Sequence, residues 1–164
     1  MRTLRPLELD DAGWLARAGA GEPEFGDAIP LPGAEAEGWV REQLRRREAG
    51  EAFVFVVVAA GVPVGTTRLG CFTPDRRAAQ VSYWTAPFAR GRGHATAAAG
   101  STLAFARDAL ALAYVHSYVA RSNVASRLVL ERNAFVRTAV GRRRGRLELV
   151  DRYDRRWTEG GAWR

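Results

Sequence analysis

The chain has 164 residues, 47% of them hydrophobic, with five tryptophans and a formal charge of +7. That length and apolar content fit one folded domain over 1–164 and exclude a disordered or fibrous chain. Arginine supplies the positive charge, since lysine is absent, and a single cysteine, Cys71, excludes an internal disulfide framework.

Thr3 to Leu7 reads as a short strand that Pro6 limits to an edge or a strand end. Asp10 or Asp11 is placed to cap a first helix through Trp14, Leu15 and Ala18. Asp10 and Asp11 also interrupt any secretory signal, and no apolar run approaches a membrane span, so a cytoplasmic protein is expected. The stretch from Gly19 to Gly33 is rich in Gly and Pro and holds Glu22, Glu24 and Asp27 without a base. Loops this long are more often functional than mere connectors. A second helix is expected over Ala34 to Ala49, ending in Arg45-Arg46-Arg47. Phe53 to Ala59 is a buried strand, turned at Gly61 into a second arm from Pro63 to Phe72. Ala79 to Thr85 is the next strand. A helix follows with Ala99, Leu103, Ala106 and Leu110 on one face. Tyr114 to Val119 is a further strand, and Asn123 opens a helix holding Val124, Leu128 and Val129. Phe135 to Val140 and Leu147 to Trp157 make a closing hairpin around the basic turn Arg142 to Arg146, which reads as a solvated hairpin end. The expected class is mixed α/β, with strands in the middle and about four helices around them.

The chemistry concentrates between Val81 and Thr96. Arg90-Gly91-Arg92-Gly93-His94-Ala95-Thr96 follows a strand and opens a helix. Helix N-terminal amides lack intrahelical partners, and glycine lets an anion approach them, so the turn fits a pyrophosphate. It lacks the Lys and Ser/Thr of a P-loop, and Thr96 stands where a dinucleotide fingerprint needs its third glycine. A glycine turn with solvated arginines fits the residues equally well. Asn123 with Ser126 three residues on reads first as a helix cap. His94 and His116 lack metal-ligand spacing and read as structural, so no metal is expected. Cys71 has no nearby base and reads as a strand residue.

Arg90-x-x-Gly93-x-Ala95 after a strand resembles the acetyl-CoA signature of the GCN5-related N-acetyltransferase (GNAT) superfamily. Tyr83 to Thr96 and Asn123-x-x-Ser126 to Phe135 together resemble the RimJ/RimL-like branch, which acetylates ribosomal-protein N-termini. The resemblance implies a twisted, mostly antiparallel mixed sheet whose fourth and fifth strands splay apart. It also implies acetyl-CoA or another acyl-CoA as co-substrate, held in that gap. Main-chain groups near Tyr83, Trp84 and Thr85 would take the pantetheine arm, and the amides of Arg90 to Thr96 the pyrophosphate. A backbone N–H near Trp84 or Thr85 would meet the thioester carbonyl. Asn123 would reach the arm from the other side, Ser126 would lie near the sulfur, and Arg127 or Arg132 would approach the 3′-phosphate.

Two departures stand out. Gln80 occupies the place where many relatives carry a glutamate base, and Ala134-Phe135 replaces the Gly-Phe that ends the second motif, which requires a non-positive φ at Ala134. Gln80 takes no proton at neutral pH, so Glu148, Asp151 or an acid of the Gly19–Gly33 loop could relay one through water. The resulting expectation is an N-acyltransferase acting on a primary amine, either a protein N-terminal α-amine or a small-molecule amine, as a monomer or homodimer. Glu22, Glu24 and Asp27 would help bind the cationic acceptor. A CoA-binding regulatory module without catalysis is the alternative, and the +7 charge leaves an RNA-binding domain as a weaker one.

Overall fold

The computed structural model describes residues 2–20, 34–142 and 149–157. Among them, seven strands form one sheet in the order β1-β2-β3-β4-β5-β7-β6. The strands are β1 (Arg2–Pro6), β2 (Ala52–Ala59), β3 (Val62–Gly70), β4 (Ala78–Thr85), β5 (Tyr114–Ala120), β6 (Val136–Arg142) and β7 (Leu149–Arg156). The helices are α1 (Ala12–Gly19), α2 (Ala34–Glu48), α3 (His94–Asp108) and α4 (Val124–Arg132). Neighbouring strands run antiparallel except β4 and β5, which are parallel. The class and the four helices match the sequence reading. The closing hairpin forms as β6 and β7, and its second strand, β7, pairs with β5 and therefore lies inside the sheet.

Strand alternation sorts the side chains onto two faces. Leu69, Ala79, Val81, Val115, Val119 and Tyr153 turn toward Leu103 and Ala106 of α3 and make the larger core. Val54, Val56 and Trp84 turn the other way, against Leu15 of α1 and Val40 of α2. Burying one such aliphatic side chain contributes about 1.5–3 kcal/mol. A hydroxyl pair, Thr67 Oγ1 and Thr102 Oγ1 at 3.0 Å, registers α3 on β3 inside the first core.

Asp11 serves a different purpose from a cap. It makes no side-chain bond to the α1 N-terminus. Its carboxylate instead accepts from Arg5 Nη1, the Glu8 amide and Trp14 Nε1, each at 2.8 Å, tying β1 to α1. Those donors outweigh burial and hold the Asp11 carboxyl below its usual range.

Gly65 is required by close packing. A Cβ built there would lie 2.2 Å from the Trp84 carbonyl oxygen, so only glycine lets β3 run this close to the end of β4.

Candidate active site

The site arises from an interrupted strand pair. β4 and β5 pair only through Ala78↔Tyr114, Ala79↔Val115 and Gln80↔His116. Past that point no ladder joins Val81–Thr85 to Ser117–Ala120, and the two strands form the walls of a fork. A cleft of about 800 Å³ opens there, lined by Tyr83, Trp84 and Thr85 on one wall and Ala120, Ser122 and Asn123 on the other. Its mouth is the glycine turn with the first turn of α3, and its far side is α4 with Ser126, Val129 and Arg132.

The mouth is built for an anion. Gly91 and Gly93 both sit at φ +74°, a conformation that side-chain-bearing residues rarely adopt, and a Cβ at either would project into open space. Gly93 caps α3 with no side-chain bond, and the Ala97 amide donates to the Gly93 carbonyl at 3.2 Å. His94, Ala95 and Thr96, the first residues of α3, border the cleft, where a helix N-terminus favours an anion. Arg90 donates from Nε to the Thr85 carbonyl at 3.1 Å, which fastens the turn to the end of β4.

Across the fork, Tyr83 meets Ser126. The Tyr83 hydroxyl lies 3.0 Å from the Ser126 carbonyl oxygen and 2.9 Å from Ser126 Oγ. Tyr83 has one proton, so when it donates to the carbonyl the serine hydroxyl supplies the proton of the second contact. Burial pushes the Tyr83 hydroxyl well above its usual range, so it stays protonated and acts as a donor.

Asn123 is the N-cap of α4, its Oδ1 accepting from the Ser126 amide at 3.0 Å. The cap reading of Asn123-x-x-Ser126 therefore describes the local bond, and the same two residues also line the cleft. With Oδ1 engaged, the Asn123 Nδ2 group is the part that can serve a ligand. Arg132 lines the cleft, whereas Arg92 and Arg127 do not. Gln80 lies at the closed end of the fork, outside the lining residues. Glu22, Glu24, Asp27 and Glu148 fall outside the described residues.

Two expectations need correction. Ala134 has φ +58°, not the non-positive value expected of a residue replacing glycine. It is the residue after the α4 C-cap, where Phe135 N–H returns to the Leu130 carbonyl and Ala134 N–H to the Glu131 carbonyl. That pair of bonds forces a left-handed residue, whatever its side chain. Asp151 is fully buried and accepts from Arg121 Nε at 3.0 Å and Arg137 Nη1 at 3.3 Å. The two guanidiniums outweigh its burial and hold the carboxyl below its usual range, and its buried position, outside the cleft lining, does not place it to relay a proton. Its role is structural: with the Arg121 amide donating to the Leu149 carbonyl at 3.1 Å, it fixes the turn that presents Ser122 and Asn123.

Sequence reasoning passed over Asn133. Its Nδ2 donates to the Thr96 carbonyl at 3.1 Å and the Val129 carbonyl at 2.9 Å, joining the two helices that flank the cleft. Nothing in the residue order announces a contact across 37 positions.

A family model for the acetyltransferase (GNAT) domain matches residues 2–136. The chain belongs to the GNAT acetyltransferase family. It is accordingly an N-acetyltransferase with acetyl-CoA as acyl donor, and its sequence resembles the RimJ/RimL branch. Among solved structures it is similar to RimL, a ribosomal alpha-N-protein acetyltransferase, in complex with coenzyme A. That match has TM-score 0.82 at 17% identity and covers 94% of this chain and 93% of that one. Mycobacterium smegmatis RimJ in complex with CoA-disulfide gives TM-score 0.79 at 23% identity, covering 93% and 80%. A spermidine N-acetyltransferase SpeG chimera from Vibrio cholerae and hSSAT gives 0.78 at 21%, covering 93% of each chain. No curated protein matches.

The cleft's residues fit the donor: a helix N-terminus and two open glycines for a pyrophosphate, and two strands that have parted from each other for an extended amide-bearing arm. Among the described residues no helix is long and apolar enough to cross a membrane, and no group of His, Cys, Asp and Glu could hold a metal ion.

Proposed function

We propose that this N-acetyltransferase acetylates a primary amine of modest basicity, with a protein N-terminal α-amine preferred over a lysine side chain. The observation that carries this reading is Gln80 itself, an uncharged amide on β4 where the resemblance places a glutamate base. An α-amine with pKa near 8 is roughly a tenth neutral at pH 7, whereas a lysine near 10.4 is roughly a thousandth neutral or less. A site without a carboxylate base is matched to the first. The similar RimL acts on a ribosomal protein's α-amine, and the similar SpeG chimera on spermidine, so both acceptor classes belong in the test.

Acetyl-CoA supplies an activated acetyl group for direct transfer to nitrogen within a ternary complex. The chain's own contribution is positional and electrostatic. Amides at the α3 N-terminus hold the diphosphate, and main-chain groups of Tyr83, Trp84 and Thr85 hold the arm. A β4 N–H near Trp84 or Thr85 donates to the carbonyl oxygen. Ser126 donates toward sulfur, with Tyr83 then giving its proton to Ser126 Oγ in place of the carbonyl, and Arg132 borders the nucleotide end.

The experiment is an acceptor panel with acetyl-CoA: peptides with free N-termini, N-blocked peptides bearing lysine, and spermidine. Free α-amines should exceed blocked lysines in kcat/KM by about 100-fold, as their neutral fractions dictate. Faster turnover of blocked lysine peptides would overturn the preference. Ser126→Ala and Asn123→Ala should each lower kcat by about tenfold or more. Full turnover in both would remove this pair from the mechanism.

A further inference from the structure

With acetyl-CoA held as described above, α3 and α4 close one side of the fork. An acceptor must then reach the thioester from the opposite face of the sheet, the face on which α1 and α2 pack against Trp84. Strand alternation decides which side chains it meets there. Val81, Val115, Val119 and Tyr153 face α3, so their neighbours Ser82, Tyr118 and Arg152 turn to the acceptor's face.

The strand registers place Arg152 beside the open part of the fork. Two residues past the last β4–β5 pair, Gln80↔His116, stand Ser82 on one wall and Tyr118 on the other. Tyr118 is paired in turn with Arg152 of β7. The Arg152 side chain, 30% exposed, leans over Tyr118 toward the gap. Its Cζ lies 5.8 Å from the centre of the Tyr118 ring, and its Nη1 lies 3.5 Å from the Tyr118 hydroxyl. Asp154 accepts from Nε at 2.8 Å, which fixes the guanidinium and leaves the edge formed by Nη1 and Nη2 to meet a ligand.

Charge on this face is unbalanced. Arg68 of β3 and Arg152 and Arg156 of β7 are cationic, and Asp154 is the one carboxylate that the described strands turn this way. Arg68 is buried, with its Nε on Gln43 of α2 at 3.1 Å, so it adds to the field without reaching the surface. β4 offers the uncharged Gln80 and Ser82, and β5 adds Tyr114, His116 and Tyr118 but no carboxylate. β6 sets Ala139 beside Arg152 and Val136 beside Asp154, so no acid competes from that side.

We propose that Arg152 binds a carboxylate of the acceptor, so that the favoured substrate is a peptide N-terminus with Asp or Glu in second position. The proposal rests on the amine-acylating reading above. Reach selects the second position. The level of Tyr118 and Arg152 lies two residues, about 7 Å, along the strands from that of Trp84, where the acyl carbonyl is held. In an extended peptide the side-chain carboxylate of the second residue lies roughly 6–8 Å from the α-nitrogen, and that of the first only about 4–5 Å. A planar guanidinium end takes such a carboxylate through two parallel hydrogen bonds.

The test uses C-terminally amidated hexapeptides that differ only in a second residue of Glu, Gln or Lys, so the Glu side chain is their sole carboxylate. With acetyl-CoA, the wild type should favour Glu over Gln by about tenfold or more in kcat/KM, chiefly through KM, and Lys should be poorest. Arg152→Gln should bring the Glu and Gln peptides within twofold of each other, and Arg152→Glu should favour Lys. Calorimetric titration of the same peptides into CoA-loaded wild type reads the preference without turnover and without any variant. Failure to acylate any peptide would therefore defeat the functional reading alone. Free glutamate, acylated faster than the Glu peptide, would overturn the second-residue placement. Glu and Gln peptides that bind the wild type equally, or an Arg152→Gln protein of wild-type Tm that keeps the Glu preference, would overturn the Arg152 assignment.

Discussion

Ala134 shows what a single residue contributes when its conformation is dictated by neighbours. The bonds from Phe135 N–H and Ala134 N–H back to α4 require φ +58° there, and a left-handed alanine costs about 1–2 kcal/mol relative to an unstrained one. Leu130 and Phe135, both buried in the α3 core, make the hydrophobic contact that accompanies such helix ends and absorb that strain. Ala134→Gly removes the strain and adds some unfolded-chain entropy, for a net gain of about 0.5–1 kcal/mol. Urea unfolding should show a higher midpoint with unchanged m, and a lower midpoint would refute the strain assignment. The residues that resemble a family signature, Arg90-x-x-Gly93-x-Ala95 and Asn123-x-x-Ser126, were legible because spacing alone displays them. The φ of Ala134 was not, because it is set by where the chain goes after α4.

Most elements could be read as periodicities, and their ends moved by only a residue or two. What periodicity could not give was register. Gln80 beside His116, and His116 opposite Asp154, follow from which strands lie next to each other, and β7 entering between β5 and β6 is not written in any local pattern. The same holds for the clamp between helices. Asn133 connects the α3 carbonyl of Thr96 to the end of α4, and Gly100 leaves room for it, since a Cβ there would lie 3.1 Å from Asn133 Oδ1. The clamp ties the N-terminal turn of α3 to the end of α4, the helix that carries Ser126. Asn133→Asp keeps the shape and loses the Nδ2 donor, so it should weaken CoA binding about three- to tenfold, the equivalent of one hydrogen bond of about 1 kcal/mol. Calorimetric titration with CoA measures it. An unchanged Kd in both Asn133→Asp and Asn133→Ala would show that the helices hold their spacing without the clamp.

Across the whole molecule, a net charge of +7 places many guanidiniums around few carboxylates, and two of those carboxylates are buried at structural junctions. Asp11 joins β1 to α1, and Asp151 joins β6 and β7 to the turn before α4. Both carboxyls are held below their ordinary range, despite burial, by the arginines they accept from. A group whose folded pKa is depressed contributes stability above its unfolded pKa, near 3.9, and loses it as pH falls through the folded value. Each junction should therefore be at full strength at neutral pH and weaken below about pH 4, while repulsion among the arginines grows as the remaining carboxylates protonate. Asp151→Asn should cost about 2–3 kcal/mol at pH 7, since it strips a buried charged acceptor from Arg121 and Arg137. The same variant should differ progressively less from wild type as pH falls from 5 toward 2, because protonation removes the same charge from the native residue. Urea midpoints for both proteins at pH 7, 5, 4 and 3 measure this convergence. A gap that stays constant over that range would mean that shape, and not the charge on Asp151, holds the β7 junction beneath Ser122 and Asn123.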